Sequence, residues 1–289
     1  MKLVVGIATV GRPELAARVV ERLKLQTRPP DGVVVVGGAH ADVAAVRGFA
    51  GLIVATVPER GLCRQRNRVL DLVKGRADLL VFFDDDFIPC ADYLERAEAL
   101  FAREADVVGA TGRIIADGIK SPGLDFAEAV RRAEGDRPPP DAAEHPAEAL
   151  YGCNMALRLS AMRGLRFDEQ LPLYGWLEDI DLTYRLARRG RLIRSHLFGG
   201  VHMGAKAGRT PGLKLGYSQI ANPLYLLGKN SAPPRLARQM IARNLASNLV
   251  RSLWPEPHVD RRGRLKGNAL ALWHLATGRL RPEHVLMLR

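Results

Sequence analysis

The chain of 289 residues is 47% hydrophobic, enough for a sizeable buried core and unlike a disordered or low-complexity chain. Its three cysteines, Cys63, Cys90 and Cys153, lie far apart without a C-x-x-C spacing, which argues against a disulfide framework, a zinc knuckle or a redox pair and fits a reducing, cytoplasmic compartment. Charge is uneven: residues 1–203 hold 28 Lys and Arg against 28 Asp and Glu, while residues 204–289 hold 15 against 3. The whole net charge of +12 therefore belongs to the C-terminal part, which calls for an anionic partner such as lipid headgroups, phosphates or nucleic acid.

The opening segment, MKLVVGIATVGRPEL, has one Lys and an apolar run broken by Thr9, Gly11 and Pro13, and reads as a strand over residues 2–9, not as a signal peptide. A helix follows from Pro13, with Leu15, Val19 and Leu23 spaced by four. Continuously apolar runs, as in strands covered on both faces, predict strands over 32–36, 52–57, 79–83 and 107–115. Helices are predicted over 62–73 and after Asp92, whose side chain is placed to cap the second. This alternation predicts an α/β fold with a mostly parallel, Rossmann-like sheet flanked by helices.

Prolines at 138, 139, 140 and 146 make residues 136–146 a loop or lid. A short helix over 178–189 is expected to end at Gly190 as its cap, and a strand over 192–201 follows. Beyond about residue 211 the chain reads as basic helical segments. Pro233-Pro234 opens one with Ile241, Leu245, Leu249 and Leu253 in a four-residue row, on which Arg238 also falls, so charge and apolar character are poorly segregated. No stretch approaches the ~18–20 apolar residues needed to cross a bilayer.

Two acidic constellations carry chemistry. Asp84-Asp85-Asp86 ends a buried strand, where open parallel sheets bind ligands, and strand alternation lets Asp84 and Asp86 converge while Asp85 points away. Carboxylates so close repel one another, and a hard divalent cation, Mg2+ or Mn2+, would relieve this while binding diphosphate oxygens. The second constellation, Glu178, Asp179 and Asp181, opens a helix; it suits dipole stabilisation with Asp179 or Asp181 as N-cap, or a general base beside the aromatic pair Tyr174 and Trp176 on which a sugar ring stacks.

Over roughly residues 1–205 these features resemble the inverting family 2 glycosyltransferases with the GT-A fold. In order, the matching segments are the opening strand with Thr9 and Arg12, Gly61-Leu62-Cys63-Arg64-Gln65-Arg66-Asn67, the Asp84 to Asp86 triplet (an Asp-x-Asp arrangement), Gly152-Cys153-Asn154-Met155-Ala156 and Glu178-Asp179-Ile180-Asp181-Leu182. The resemblance implies a GT-A catalytic domain over 1–205 and a basic, mainly helical region over 206–289. It implies Asp84, as a nucleoside contact, and Asp85 among the nucleotide-sugar-binding residues, Asp86 as metal ligand, and Asp179 as the base with Glu178 as companion. Thr9, Arg12, Arg64, Arg66 and Asn67 would lie along the nucleotide, Tyr174, Trp176 and Asp181 along the acceptor, and His202 would be a second metal ligand. Lys206 and Arg209 would clamp the diphosphate. The implied partners are a UDP-sugar or other nucleotide-sugar donor and a glycan or lipid-linked acceptor.

Two departures from the family pattern stand out. The second strand runs into Gly37-Gly38 where a base-recognising Asp is usual, with Asp42 only a distant substitute, and the Gln-x-x-Arg-Trp signature of processive synthases is absent. One sugar per encounter is therefore expected, in building a cell-surface or extracellular polysaccharide, with the basic region docking on an anionic membrane at its cytoplasmic face. A nucleotidyltransferase would need a Gly-rich, Lys-bearing loop after the first strand, of which Gly11-Arg12-Pro13 is a thin version. A nucleic-acid binder would need clustered aromatics in the basic region, and nucleic acid is not an expected partner.

Overall fold

The computed structural model describes residues 1–139, 141–207 and 210–288. Its elements are β1 (Leu3–Thr9), α1 (Pro13–Leu23), β2 (Gly32–Gly37), α2 (His40–Val43), β3 (Leu52–Thr56), α3 (Leu62–Val73), β4 (Leu79–Asp84), β5 (Phe87–Pro89), α4 (Tyr93–Arg103) and β6 (Val107–Asp117). There follow α5 (Phe126–Gly135), β7 (Glu144–Pro146), β8 (Asn154–Arg158), α6 (Glu178–Leu186), β9 (Arg191–His202), α7 (Gly212–Gly228), α8 (Pro234–Arg251) and α9 (Arg261–Ala276). They divide into two compact units: Met1–Arg60, Arg64–Arg166 and Arg185–Gly208 in the first, and Gly61–Cys63, Phe167–Tyr184 and Arg209–Arg289 in the second.

The first unit is built on a nine-stranded sheet in the order β3-β2-β1-β4-β8-β6-β9-β5, with β7 paired to β9. From β3 to β4 it is parallel, as the apolar runs predict, because both faces of β1, β2 and β4 are buried. Beyond β4 the pairing with β8 and then β6 turns antiparallel, so the sheet as a whole is mixed rather than mostly parallel. Its core joins Val5, Ile7, Val33, Val35, Val81 and Phe83 to α1 and α4 side chains such as Val19, Leu23, Leu94 and Phe101. Each such burial contributes about 1.5–3 kcal/mol.

Several local expectations are corrected. Residues 136–146 are not all loop: Glu144–Pro146 adds antiparallel to β9, a sheet-margin position that tolerates Pro146. Asp92 stands at the N-cap of α4 without a capping bond, because its carboxylate takes the Arg96 guanidinium at 2.5 Å instead. Gly190 has φ 163°, an extended backbone and not a left-handed cap. Glycine is needed there because a Cβ would come within 2.4 Å of the Asp106 carbonyl oxygen.

The second unit is helical, and its apolar core is small: Tyr217, Ile220, Ala221, Ala271 and Val285. Much of its interior is polar. Asn268 Nδ2 donates to the Gly216 carbonyl at 2.7 Å, Asn248 Nδ2 donates to Asn268 Oδ1 and to Gln219 Oε1 at 2.8 Å each, and Gln219 reaches Asn244 at 3.2 Å. This amide ladder ties α7, α8 and α9 together. The crossing of α7 and α9 is close enough that a Cβ on Gly216 or Gly267 would lie 2.1 Å from the partner helix's carbonyl oxygens. Lys229, the C-cap of α7, binds Asp168 at 2.5 Å and the fully buried Asp181 of α6 at 2.7 Å, and Tyr225 donates to Asp168 at 2.8 Å.

Candidate functional site

In the first unit, β4 carries Asp84 to the end of the sheet, and the chain turns through Asp85 and Asp86 into β5, which pairs with β9 so that Phe87 lies opposite His202. On the other side of β9, His202 is in register with Asp117 of β6. These two pairings bring Asp84, Asp86 and His202 together, with one ligand atom from each inside 4.8 Å of the others. Two carboxylates and an imidazole form an O,O,N donor set that suits Mn2+ or Mg2+, so the residues present fit such an ion.

Each member of the triplet has a different environment. Half-buried Asp84 takes Arg66 Nη2 at 3.0 Å, and burial pushes its carboxyl up against the opposing pull of Arg66. Asp85 is buried, accepts from the Thr9 hydroxyl at 2.6 Å and pairs with Arg12 Nη2 at 2.8 Å. Burial outweighs Arg12 there and raises it to about 7. Asp86 is buried as well, but the charge of His202, Arg12 at 3.2 Å and the Ala205 N–H at 2.8 Å overcome that burial and lower it to about 2. Desolvation likewise opposes the charge on His202, yet Asp117 on Nδ1 at 3.0 Å and Asp86 near Nε2 at 3.5 Å raise it to about 10.

Asp117, which sequence reasoning missed, lies two residues past the strand expected to end at Ile115. It accepts from His202 and from the Ile119 N–H at 3.0 Å each, with the Tyr151 hydroxyl at 3.4 Å. An imidazole bound through Nδ1 to a carboxylate presents Nε2, which is how metal-ligating histidines are commonly oriented. Gln65 was also missed: its Nε2 donates to the carbonyls of Thr9 and Val36 at 2.9 and 2.7 Å and so latches α3 to the carboxyl ends of β1 and β2. A Gln flanked by two arginines carries no sequence signal for such a latch.

The other donor-side residues are dispersed. Arg66 is fully buried on Asp84 and the Gly152 carbonyl, whereas Arg64 is half-buried and pairs with Glu59 at 2.8 Å, and Asn67 is buried. Lys206 donates to the carbonyls of Gly118 and Ile119 at 3.0 and 3.2 Å; Arg209 lies outside the described residues. Asp42 accepts from Gly11 N–H at 2.7 Å and Ala39 N–H at 2.8 Å, which commits both its oxygens to bracing the loops after β1 and β2. Asn154 buttresses β8 against β6, its Oδ1 accepting from Thr111 and Gly112 at 2.7 Å each.

In the second unit, α6 begins at Glu178, so neither Asp179 nor Asp181 is its N-cap; Asp179 Oδ1 accepts from the next N–H at 2.8 Å. Asp181 lies inside the unit on Lys229, and Glu178 is buried. The segment before the helix is strained: Leu173 and Leu177 have φ of 58° and 74°, unfavourable for residues with a Cβ by about 1–3 kcal/mol each. Leu62 N–H donates to the Leu173 carbonyl at 2.8 Å and supports that turn. Tyr174 is exposed within it, and Trp176 is half-buried with its carbonyl accepting from Asn222 at 2.8 Å.

Among solved structures, the chain is similar to S. aureus TarS 1-349, with 14% identity, 96% of this chain and 92% of that one covered, and a TM-score of 0.57. It is also similar to the mannosyltransferase PcManGT from Pyrobaculum calidifontis in complex with GDP-Man and Mn2+, with 16% identity, 99% and 85% covered, and a TM-score of 0.56. A third is S. aureus TarS 1-349 in complex with UDP-GlcNAc, at 14% identity, 96% and 93% covered, and a TM-score of 0.56. At these identities the likeness speaks for the fold, a mixed α/β sheet flanked by helices with a helical C-terminal region, as in GT-A proteins. No curated protein sequence matches the chain. The model of the family described as glycosyl transferase family 2 matches residues 4–158, more than half of the chain, and the protein belongs to that family.

Proposed function

We propose that the protein is a metal-dependent, inverting glycosyltransferase that moves one sugar from a nucleotide-diphosphate sugar, a UDP-sugar first among them, to a hydroxyl of a glycan or lipid-linked acceptor in cytoplasmic steps of polysaccharide biosynthesis. The observation that carries this reading is the convergence of Asp84, Asp86 and His202 within 4.8 Å in a chain of this family. The mannosyltransferase structure with GDP-Man and Mn2+ and the TarS structure with UDP-GlcNAc support a nucleotide-sugar donor and a divalent cation.

Asp84, Asp86 and His202 would hold the cation, which would supply positive charge against a departing diphosphate. Asp179, with Glu178 beside it, takes the proton of the acceptor hydroxyl. The acceptor oxygen bonds to the anomeric carbon as the bond from that carbon to the diphosphate oxygen breaks, its electron pair leaving with the nucleoside diphosphate and the configuration inverting. Thr9 and Arg12 brace Asp85 and Asp86, and Arg66 braces Asp84. Arg64, Asn67, Lys206 and Arg209 complete the donor side; Tyr174 and Trp176 offer the acceptor a ring surface.

The test is calorimetry of a nucleotide-sugar panel with Mn2+ and with chelator, repeated on Asp86→Ala. One donor should bind with Mn2+ only and lose that binding in the variant. Binding that ignores both metal and substitution, or no binding at all, would discard the site.

A further inference from the structure

We propose that α8, α9 and the turn after them form a docking face for the headgroup layer of an anionic lipid bilayer. Nine of the thirteen exposed large hydrophobic residues among those described lie between Leu249 and Met287: Leu249, Val250, Leu253, Trp254, Leu272, Trp273, Leu275, Leu286 and Met287. Trp254 is 79% exposed and Trp273 63%. Single exposed apolar residues need no explanation, but nine in one small helical unit, two of them Trp, call for a partner that covers them. The unit's own packing does not use them, because its helices are joined by the Asn268, Asn248 and Gln219 amides and by glycine contacts.

Charge says what covers the face. The exposed positions of α8 run from Arg235, Arg238 and Arg243 into Leu249 and Val250, with Leu253 just past its end, and those of α9 from Arg262 and Lys266 into Leu272 and Trp273. Arg262 Nε donates to the Ser252 carbonyl at 3.2 Å, which sets a cation beside the apolar end of α8. Of the three acids in residues 204–289, Glu256 is neutralised by Arg251 and Arg261, and Asp260 caps α9 through the Gly263 N–H at 2.7 Å. Apolar side chains entering the acyl boundary, Trp rings at headgroup depth and arginines reaching lipid phosphates together fit an anionic membrane surface. A second copy of the chain would set like charge against like. A nucleic acid would have no use for exposed Leu, Val and Met. Among the described residues no helix is long and apolar enough to cross a membrane, so the face rests on the surface.

The test needs no sugar donor, so it stands apart from the proposed transfer reaction. The full chain is sedimented with vesicles of phosphatidylcholine alone and with about one third phosphatidylglycerol, at low salt and at roughly 0.5 M NaCl. Retention on the anionic vesicles at low salt only, with a blue shift of tryptophan emission, is expected. Trp254→Ser with Trp273→Ser should weaken that retention by about tenfold or more, and Arg238→Glu with Arg243→Glu should abolish it. Leu25→Ser, an exposed apolar change in the sheet unit, should leave it intact. Equal retention on neutral vesicles, retention untouched by both double variants, or a dimer dissociated by the tryptophan substitutions without vesicle binding would overturn the proposal.

Discussion

The two units distribute polar and apolar groups in opposite ways. In the sheet unit the valines and phenylalanines of β1, β2 and β4 fill the interior, and the charged groups gather at one end of β4, each held by a neighbour: Asp85 by Thr9 and Arg12, Asp84 by Arg66, Asp86 by His202 and Ala205. In the helical unit, amides, glycines and the Lys229 ion pairs occupy the interior, while Leu253, Trp254 and Trp273 face outward. Apolar burial is non-directional and tolerates a site at its margin, whereas an amide ladder holds helices by geometry and frees their apolar faces for something else. Clustered acids follow the same contrast: Asp84 and Asp86 converge with His202, but Asp181 is drawn inward to Lys229 and separated in role from Asp179.

The largest effect that would sharpen this contrast concerns Asp179. Asp179→Asn should lower transfer by about 10²–10⁴-fold while donor affinity by calorimetry stays near that of the unaltered protein; a parallel loss of donor binding would move Asp179 to the donor side. Next comes Asp117, an acid of the sheet unit that touches no proposed substrate. Asp117→Ala should weaken Mn2+ binding, followed by electron paramagnetic resonance, by about 10–100-fold, and Asp117→Asn should recover part of it; unchanged affinity would mean that His202 needs no orienting partner.

For the helical unit, Asn248→Ala leaves Asn268 and Gln219 without their shared donor and should lower stability to chemical denaturation by about 1–3 kcal/mol. A neutral result would show that helix packing and not the ladder carries the unit. The smallest effect is a pH dependence. Burial opposes it, but Lys229 and Tyr225 hold the Asp168 carboxyl below its ordinary 3.8. Stability from that depressed pKa is present above the unfolded value and is lost as pH falls through the folded one. Melting temperature should therefore drop below about pH 4, and Asp168→Asn should make that drop shallower.

Strand and helix placement was largely legible in the chain, because burial on both faces leaves continuous apolar runs and an amphipathic helix leaves a four-residue row. β1, β2 and β4, to within one residue at each end, and the whole of α3 follow from such local patterns, and so does the Asp84 to Asp86 triplet at the end of β4. A row of equal spacing does not say which of its members is buried: Ile241 and Leu245 pack against the helical core, while Leu249 and Leu253, on the same row, are exposed. The antiparallel turn of the sheet beyond β4, the meeting of Asp117 with His202 and the latch of Gln65 depend on strand register and helix docking between residues 29 to 85 positions apart. By itself the sequence determined six of the nine strands, all but β5, β7 and β8, the acids that end β4 and the basic character of the C-terminal region. Only the tertiary structure decided which acids meet and which apolar side chains face out, because those outcomes rest on contacts between elements distant along the chain, which no local period records.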